Sequence, residues 1–169
     1  MLSESNITLR QLSFEDETPM ALLANNKKIW DNVRDIFPHP YGPYDANLFI
    51  DFTLQQQTVT TFAIEYDGEF CGVIGLVPNA DVYQQSAEIG YWIGEPFWNK
   101  GIASTGVKLI TKYGLHTLGF VRLHAGIFEY NIASMKVLEK NGYEKEGISK
   151  KAIFKNEQIW NEHRYAIVK

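Results

Sequence analysis

A chain of 169 residues that is 45% hydrophobic and 14% aromatic suffices for one globular domain burying about two-thirds of its unfolded surface. Sixteen basic against twenty acidic residues leave a formal net charge of −4, without the excess of positive charge on which general nucleic-acid affinity rests. Cys71 is the only cysteine, which excludes an intrachain disulfide, and no apolar run is long enough to span a bilayer.

The opening MLSESNITLR lacks the charged-then-apolar pattern of a secretory signal. The expectation is a soluble, cytoplasmic protein with no membrane partner and no nucleic-acid partner, in a reducing compartment. Residues 7–12 read as a strand, and Ser13 with Asp16 offers a capping-box start to a first helix. YGPYDANLFIDFTLQQQ predicts a second helix, with Pro43 near its first turn and Ala46, Phe49, Ile50 and Leu54 as core positions. The period then changes: TTFAIEY, the turn Asp67-Gly68 and EFCGVIGLVP predict a hairpin, and SAEIGYWIG another strand. Cys71 lies inside an apolar strand, which suits packing better than nucleophilic work. ASTGVKLITKYGLHTL carries Val107, Ile110 and Leu118 at helical spacing, and VRLHAGIF returns to strand. NIASMKVLEKNGY predicts a short helix capped by Asn131 and stopped at Asn141-Gly142. Strands near 143–153 and 159–168 close the chain. This order predicts one α/β domain over residues 1–169, a mixed sheet with helices on its faces.

The stretch GEPFWNKGIASTG, residues 94 to 106, joins strand to helix. A helix N-terminus exposes backbone N–H groups and the positive end of a dipole, so it can hold an anion without any arginine. Gly101 has no Cβ to keep a ligand at a distance, and Ala103, Ser104 and Thr105 leave the first turn open to a pyrophosphate. The pattern is neither GxxxxGK[ST] nor GxGxxG. An ordinary helix entry uses the same residues, so the loop alone decides nothing.

Three motifs in order carry a resemblance: AEIGYWIG at 87–94, WNKGIAS at 98–104, and NIASMKVLEKNGY at 131–143. Together they resemble the GNAT superfamily of acyl-CoA N-acyltransferases, within it the RimJ/RimL-type N-acetyltransferases, and the predicted strand order covers nearly the whole chain as that fold requires. The resemblance implies a strongly bent sheet of about seven strands, helices on both faces, and a splayed V-shaped gap for acetyl-CoA as co-substrate. It implies that the backbone of Trp92 and Ile93 pairs with the pantetheine arm. Amides of Trp98, Asn99, Lys100, Gly101, Ile102, Ala103 and Ser104 would receive the pyrophosphate. Asn131 would bond the pantetheine, and the Ser134 hydroxyl would stand near the thioester sulfur. Each has a plainer reading: Asn131 as a cap, Trp92 and Ile93 as core, Lys100 and Lys136 as solvated lysines. Many superfamily members carry Arg or Gln where this loop has Trp98, and a tyrosine acid where this helix has Leu138. Ser134, another residue or water would then protonate the leaving thiolate.

The chemistry implied is direct acetyl transfer to a primary amine, whether a protein N-terminal α-amine or a small molecule. An α-amine titrates near 7.7–8.0 and a lysine near 10.4, so the acceptor must lose a proton before attack. Glu88 is the only acidic residue in SAEIGYWIG and is the candidate base, directly or through water; its plainer reading is the polar side of a half-buried strand. His39, His116, His124 and His163 show no ligand spacing, so no metal is expected. IFPHPYGPYD at 36–45 and the last hairpin place Phe37, Tyr41, Tyr44 and Trp160 as candidate acceptor contacts, with core closure as the rival role. The sequence leaves room for a homodimer. It also leaves a competing function, a catalytically silent acyl-CoA-binding module; a nucleotide-phosphate protein lacks its Mg²⁺-site signature.

Overall fold

The structure, a computed structural model, describes residues 1–169. It is a mixed α/β fold with an open, mostly antiparallel sheet of eight strands, β1 (Leu2–Glu4), β2 (Ile7–Arg10), β3 (Thr61–Tyr66), β4 (Glu69–Pro78), β5 (Ser86–Ile93), β6 (Arg122–Phe128), β7 (Glu144–Lys155) and β8 (Gln158–Val168), bonded in the order β1-β2-β3-β4-β5-β6-β8-β7. The chain forms two compact units, one of Met1–Gly75 and Tyr91–Leu109, the other of Leu76–Gly90 and Ile110–Lys169. No helix is long and apolar enough to cross a membrane.

In the first unit, β1 (Leu2–Glu4), β2 (Ile7–Arg10), β3 (Thr61–Tyr66) and the start of β4 (Glu69–Pro78) pair antiparallel in sequence. Asp67 and Gly68 both take positive φ, 52° and 82°, the backbone that a two-residue hairpin turn matching strand twist demands. Ile7 and Leu9 alternate into the interior. Against that interior lie α1 (Glu17–Ala24) and α3 (Pro43–Leu54). Met20, Ala24, Ala46 and Ile50 are fully buried there with Leu12, Tyr41 and Phe70, while Phe49 and Leu54 are partly buried. Pro43 opens α3 as its spacing predicts, and Asp45 accepts the Gly42 N–H at 2.8 Å. Arg10 ties strand to helix entry: its guanidinium donates to Asp16 at 2.6 and 2.8 Å and to Glu65 at 2.6 Å. Asp16 in turn accepts the Ser13 N–H at 2.9 Å. Bonding to Asp16 holds the Arg10 pKa above its already high ordinary value. Cys71 is fully buried, and burial pushes its thiol up to about 12, so it packs and does not ionise.

Two elements escape the sequence pattern. β1 adds one strand to the seven read in the sequence, within the expectation of about seven, and α2 (Lys27–Trp30) adds a third helix before β3. At three and four residues they are too short to show a period. The Asn26 side chain, accepting the Lys28 N–H at 2.9 Å, is what starts α2.

In the second unit, the start of β5 (Ser86–Ile93) runs parallel to β6 (Arg122–Phe128). β6 pairs antiparallel with β8 (Gln158–Val168), and β8 with β7 (Glu144–Lys155). The helix that opens as α4 (Ile102–Lys112) ends in a wider π-type turn, Tyr113–Thr117. There a Cβ on Gly114 would meet Leu76 at 2.7 Å, so glycine lets helix and strand approach. α5 (Ile132–Lys140) buries Met135 and Leu138 and stops at Gly142, φ 81°, with Tyr143 N–H returning to the Leu138 carbonyl at 3.1 Å. The buried hydroxyls of Thr111 and Tyr143 lie 2.9 Å apart.

Candidate functional site

Within the first unit, β5 ends at Ile93 and the chain makes one tight turn at Glu95–Phe97 before α4 begins at Ile102. Asn99 and Gly101 stand in the left-handed region, φ 61° and 77°. A Cβ at Gly101 would meet nothing within 4 Å, so the loop is open there. The ladder of α4 begins with Thr105 N–H to the Gly101 carbonyl at 3.1 Å. The amides before it belong to the turn that cannot bond within its own helix, where the dipole is positive. Ile102 is buried and Ala103 and Ser104 are half-buried. The surroundings of the loop therefore suit an anion met by backbone donors.

The Trp98 indole N–H donates to the Ile93 carbonyl at 2.6 Å, closing the loop onto the strand that precedes it. Lys100 Nζ lies 5.2 Å from the Phe97 ring centroid and 5.5 Å from that of Tyr66, a cation held over aromatic faces. Trp92 sits edge-on to Phe37 and Phe70, with centroids 6.1 and 6.2 Å away. Tyr41 is buried beside Phe37, with its hydroxyl on the Met20 sulfur at 3.6 Å. Tyr44 is exposed on α3.

In the second unit Glu88 is half-buried between Ala87 and Ile89, whose side chains are buried. It forms the last pair of the parallel ladder, Ser86↔Arg122, Ala87↔Leu123, Glu88↔His124. Within this unit the ladder goes no further: Ile89 and Gly90 of β5 do not pair with Ala125 and Gly126 of β6. His124 Nε2 lies 2.9 Å from Asn79 Nδ2, which also donates to Ser86 Oγ at 2.9 Å. Nothing in the sequence signals this group: His124 alternates with Leu123 and Ala125 as a polar strand position, but only the register brings it to Glu88.

Asn131 does cap α5, its side-chain oxygen accepting the Ser134 N–H at 3.1 Å, and Ser134 is half-buried in the first turn. Lys136 is exposed on the same helix. Asn131→Ala is expected to cost about 1 kcal/mol of stability and Asn131→Asp to restore it; denaturant unfolding of the three proteins checks this. Trp160 stands edge-on to Tyr130 at 4.9 Å, and Tyr130 to Phe128 at 5.8 Å. Glu129 accepts both the backbone and side-chain N–H groups of Asn161 at 2.8 Å, tying the approach to Asn131 to β8.

The sequence signature of the Acetyltransferase (GNAT) domain matches residues 6–144. The Probable N-acetyltransferase YjcK of Bacillus subtilis is 36% identical over 98 residues, 58% of this chain, and the match spans about half of that relative, 54% of its length. Spermidine N(1)-acetyltransferase of Escherichia coli K12 is 29% identical over 168 residues, 99% of this chain and 88% of that protein. Among solved structures, RimL, the ribosomal L7/L12 alpha-N-protein acetyltransferase in complex with coenzyme A, superposes with a TM-score of 0.85 at 22% identity. It covers 98% of this chain and 95% of that one, a likeness of fold.

Proposed function

The chain belongs to the GNAT acetyltransferase family, and from that membership we propose that it moves the acetyl group of acetyl-CoA directly onto a primary amine. One observation carries the reading. The parallel ladder of β5 and β6 stops at Glu88↔His124, and a parallel pair that ceases to pair midway leaves backbone donors and acceptors that a ligand's amides can engage. A carboxylate stands at the point where pairing ends.

The roles proposed for the other residues follow the family resemblance. The glycine loop, open at Gly101 with its left-handed neighbour Asn99, would hold the pyrophosphate on backbone amides from Trp98 to Ser104. Trp92 and Ile93 would pair with the pantetheine. Asn131 and Ser134, already joined by the helix cap, would bond the pantetheine and stand by the thioester sulfur. Acetyl-CoA would supply an activated thioester, whose thiol, with a pKa of about 8.5, can leave as thiolate. Glu88 would take the proton that the acceptor ammonium must lose before its nitrogen can attack. With Tyr41 buried in the first unit's core and Phe37 partly buried against it, Phe37, Tyr44 and Trp160 remain the more accessible aromatic candidates for acceptor contacts. The relative named for spermidine makes a polyamine one candidate acceptor, and the fold likeness to RimL makes a peptide N-terminus another.

Thermal shifts with acetyl-CoA, CoA and ATP test the coenzyme half of the reading. Acetyl-CoA and CoA are expected to raise the melting temperature and ATP to leave it unchanged. A ligand at 100 times its Kd adds about 2.7 kcal/mol to the native state. Release of free CoA with a panel of spermidine, spermine and short peptides tests the transfer half. Binding of acetyl-CoA with no CoA release from any amine would instead identify a silent acyl-CoA-binding module.

A further inference from the structure

The His124 ring is fixed by a chain of hydrogen bonds whose directions can be worked out from one end. Ser86 Oγ–H donates to the Tyr83 carbonyl at 2.8 Å, so its single proton is spent. The Ser86 oxygen can therefore only accept from Asn79 Nδ2, 2.9 Å away, which fixes the Asn79 amide with its NH₂ toward both neighbours. That same nitrogen lies 2.9 Å from His124 Nε2. An amide NH₂ donates and does not accept, so Nε2 is the bare nitrogen and the proton of the neutral ring sits on Nδ1. Nδ1 is buried and meets no partner within the protein. Buried donors are rarely left so, and each one calls for an explanation.

Its surroundings supply one. Glu88 is the register partner of His124, so the two side chains share a face of the sheet. The other charged groups acting on the ring are Arg122 on β6, Arg164 on β8 and Glu146 on β7. Glu146 is held by Arg122 in a two-pronged ion pair, and Arg164 by Glu162 at 2.9 Å. Burial lowers the His124 pKa, and the two arginines add to it against the pull of Glu88 and Glu146. The ring is therefore neutral through the range in which an amine acceptor works, and an imidazolium would also aim a second N–H at the Asn79 amide.

We propose that His124 is a positioning residue for Glu88: its Nδ1–H donates to the oxygen of a water that itself donates to the Glu88 carboxylate, and this water carries the acceptor's proton. The inference rests on Glu88 as the base. In the transfer, an N–H bond of the acceptor ammonium breaks as an O–H bond forms on the water, and the water's other O–H bond breaks as Glu88 is protonated. The products are a neutral amine, a neutral carboxyl and the same water. The ring neither gains nor loses a proton; it directs one lone pair of the water away, leaving the other for the acceptor.

Nitrogen-15 NMR of the ring between pH 5 and 8 needs no acceptor. The ring is expected to be the neutral Nδ1–H tautomer at pH 8 and to protonate only below the usual histidine range, and Glu88→Gln is expected to move the Nδ1 resonance. A ring protonated on Nε2, or a resonance indifferent to Glu88→Gln, overturns the proposal. With whichever panel amine turns over, His124→Phe is expected to lower kcat about 10-fold at pH 7 with the KM for acetyl-CoA unchanged. His124→Asn, whose amide can present an N–H where Nδ1–H stood, is expected to recover to within about 3-fold of wild type, and His124→Phe to add nothing in a Glu88→Gln background. Asn and Phe variants of equal rate overturn the His124 role alone. A Glu88→Gln enzyme of wild-type rate overturns the base and, with it, the relay.

Discussion

Glu88→Gln is expected to lower kcat by roughly 10² or more, the usual scale of general-base catalysis, while acetyl-CoA binds as tightly as before. The substitution removes the only acidic side chain of β5 and keeps its size and hydrogen-bonding capacity. Ala87 and Ile89 on either side are buried, so the strand should pack unchanged. The defect should shrink as pH rises, because more of the acceptor then arrives already neutral. For an α-amine, half is neutral near pH 8, and for a lysine-like amine only above 10. The pH at which the defect closes thus reports the class of acceptor. Steady-state rates from pH 6.5 to 10, with coenzyme affinity measured separately, decide it; a variant of wild-type rate at neutral pH removes Glu88 from the chemistry.

Gly101→Glu is expected to weaken acetyl-CoA binding by more than about 10-fold, and the structure separates two reasons. At φ 77° any side chain in the left-handed region strains the backbone by about 1–2 kcal/mol, so some stability is lost whatever the ligand. The space around the missing Cβ is open, so the added carboxylate would stand over the loop and repel a pyrophosphate. Gly101→Asn tolerates the left-handed backbone and carries no charge, so it isolates strain from repulsion. Calorimetric titration of both variants with CoA, alongside melting curves, reads the two costs apart. Equal affinity in a folded Gly101→Glu protein would remove the phosphate from this loop.

What the sequence made legible was whatever depends on neighbours along the chain. Asp67-Gly68 names its own turn, Pro43 its own helix start, and Asn141-Gly142 its own stop. The glycine loop is likewise visible because its residues are contiguous. Features built from strand register are invisible at that level. Glu88 and His124 lie 36 positions apart and meet only through the pairing of β5 with β6. The Asn79 amide takes its orientation from a serine hydroxyl seven residues on. Trp98 reads as a loop aromatic, and only the folded chain turns its indole onto the Ile93 carbonyl. Tyr41 and Tyr44 are alike in sequence, but α3 buries one side of its entry and exposes the other.

Cys71 has a practical use. With burial pushing its thiol up to about 12, almost none of it is thiolate at neutral pH, and the fully buried sulfur is shielded from reagents. A chromogenic disulfide should therefore be consumed only when β4 opens, and the rate of colour development becomes a clock for opening of the first unit. Slowing of that clock by CoA would measure coenzyme affinity on the bench without label, acceptor or turnover. The same silence means that a second cysteine introduced on an exposed position such as Tyr44 could be tagged with a fluorophore in the native protein while Cys71 stays untouched.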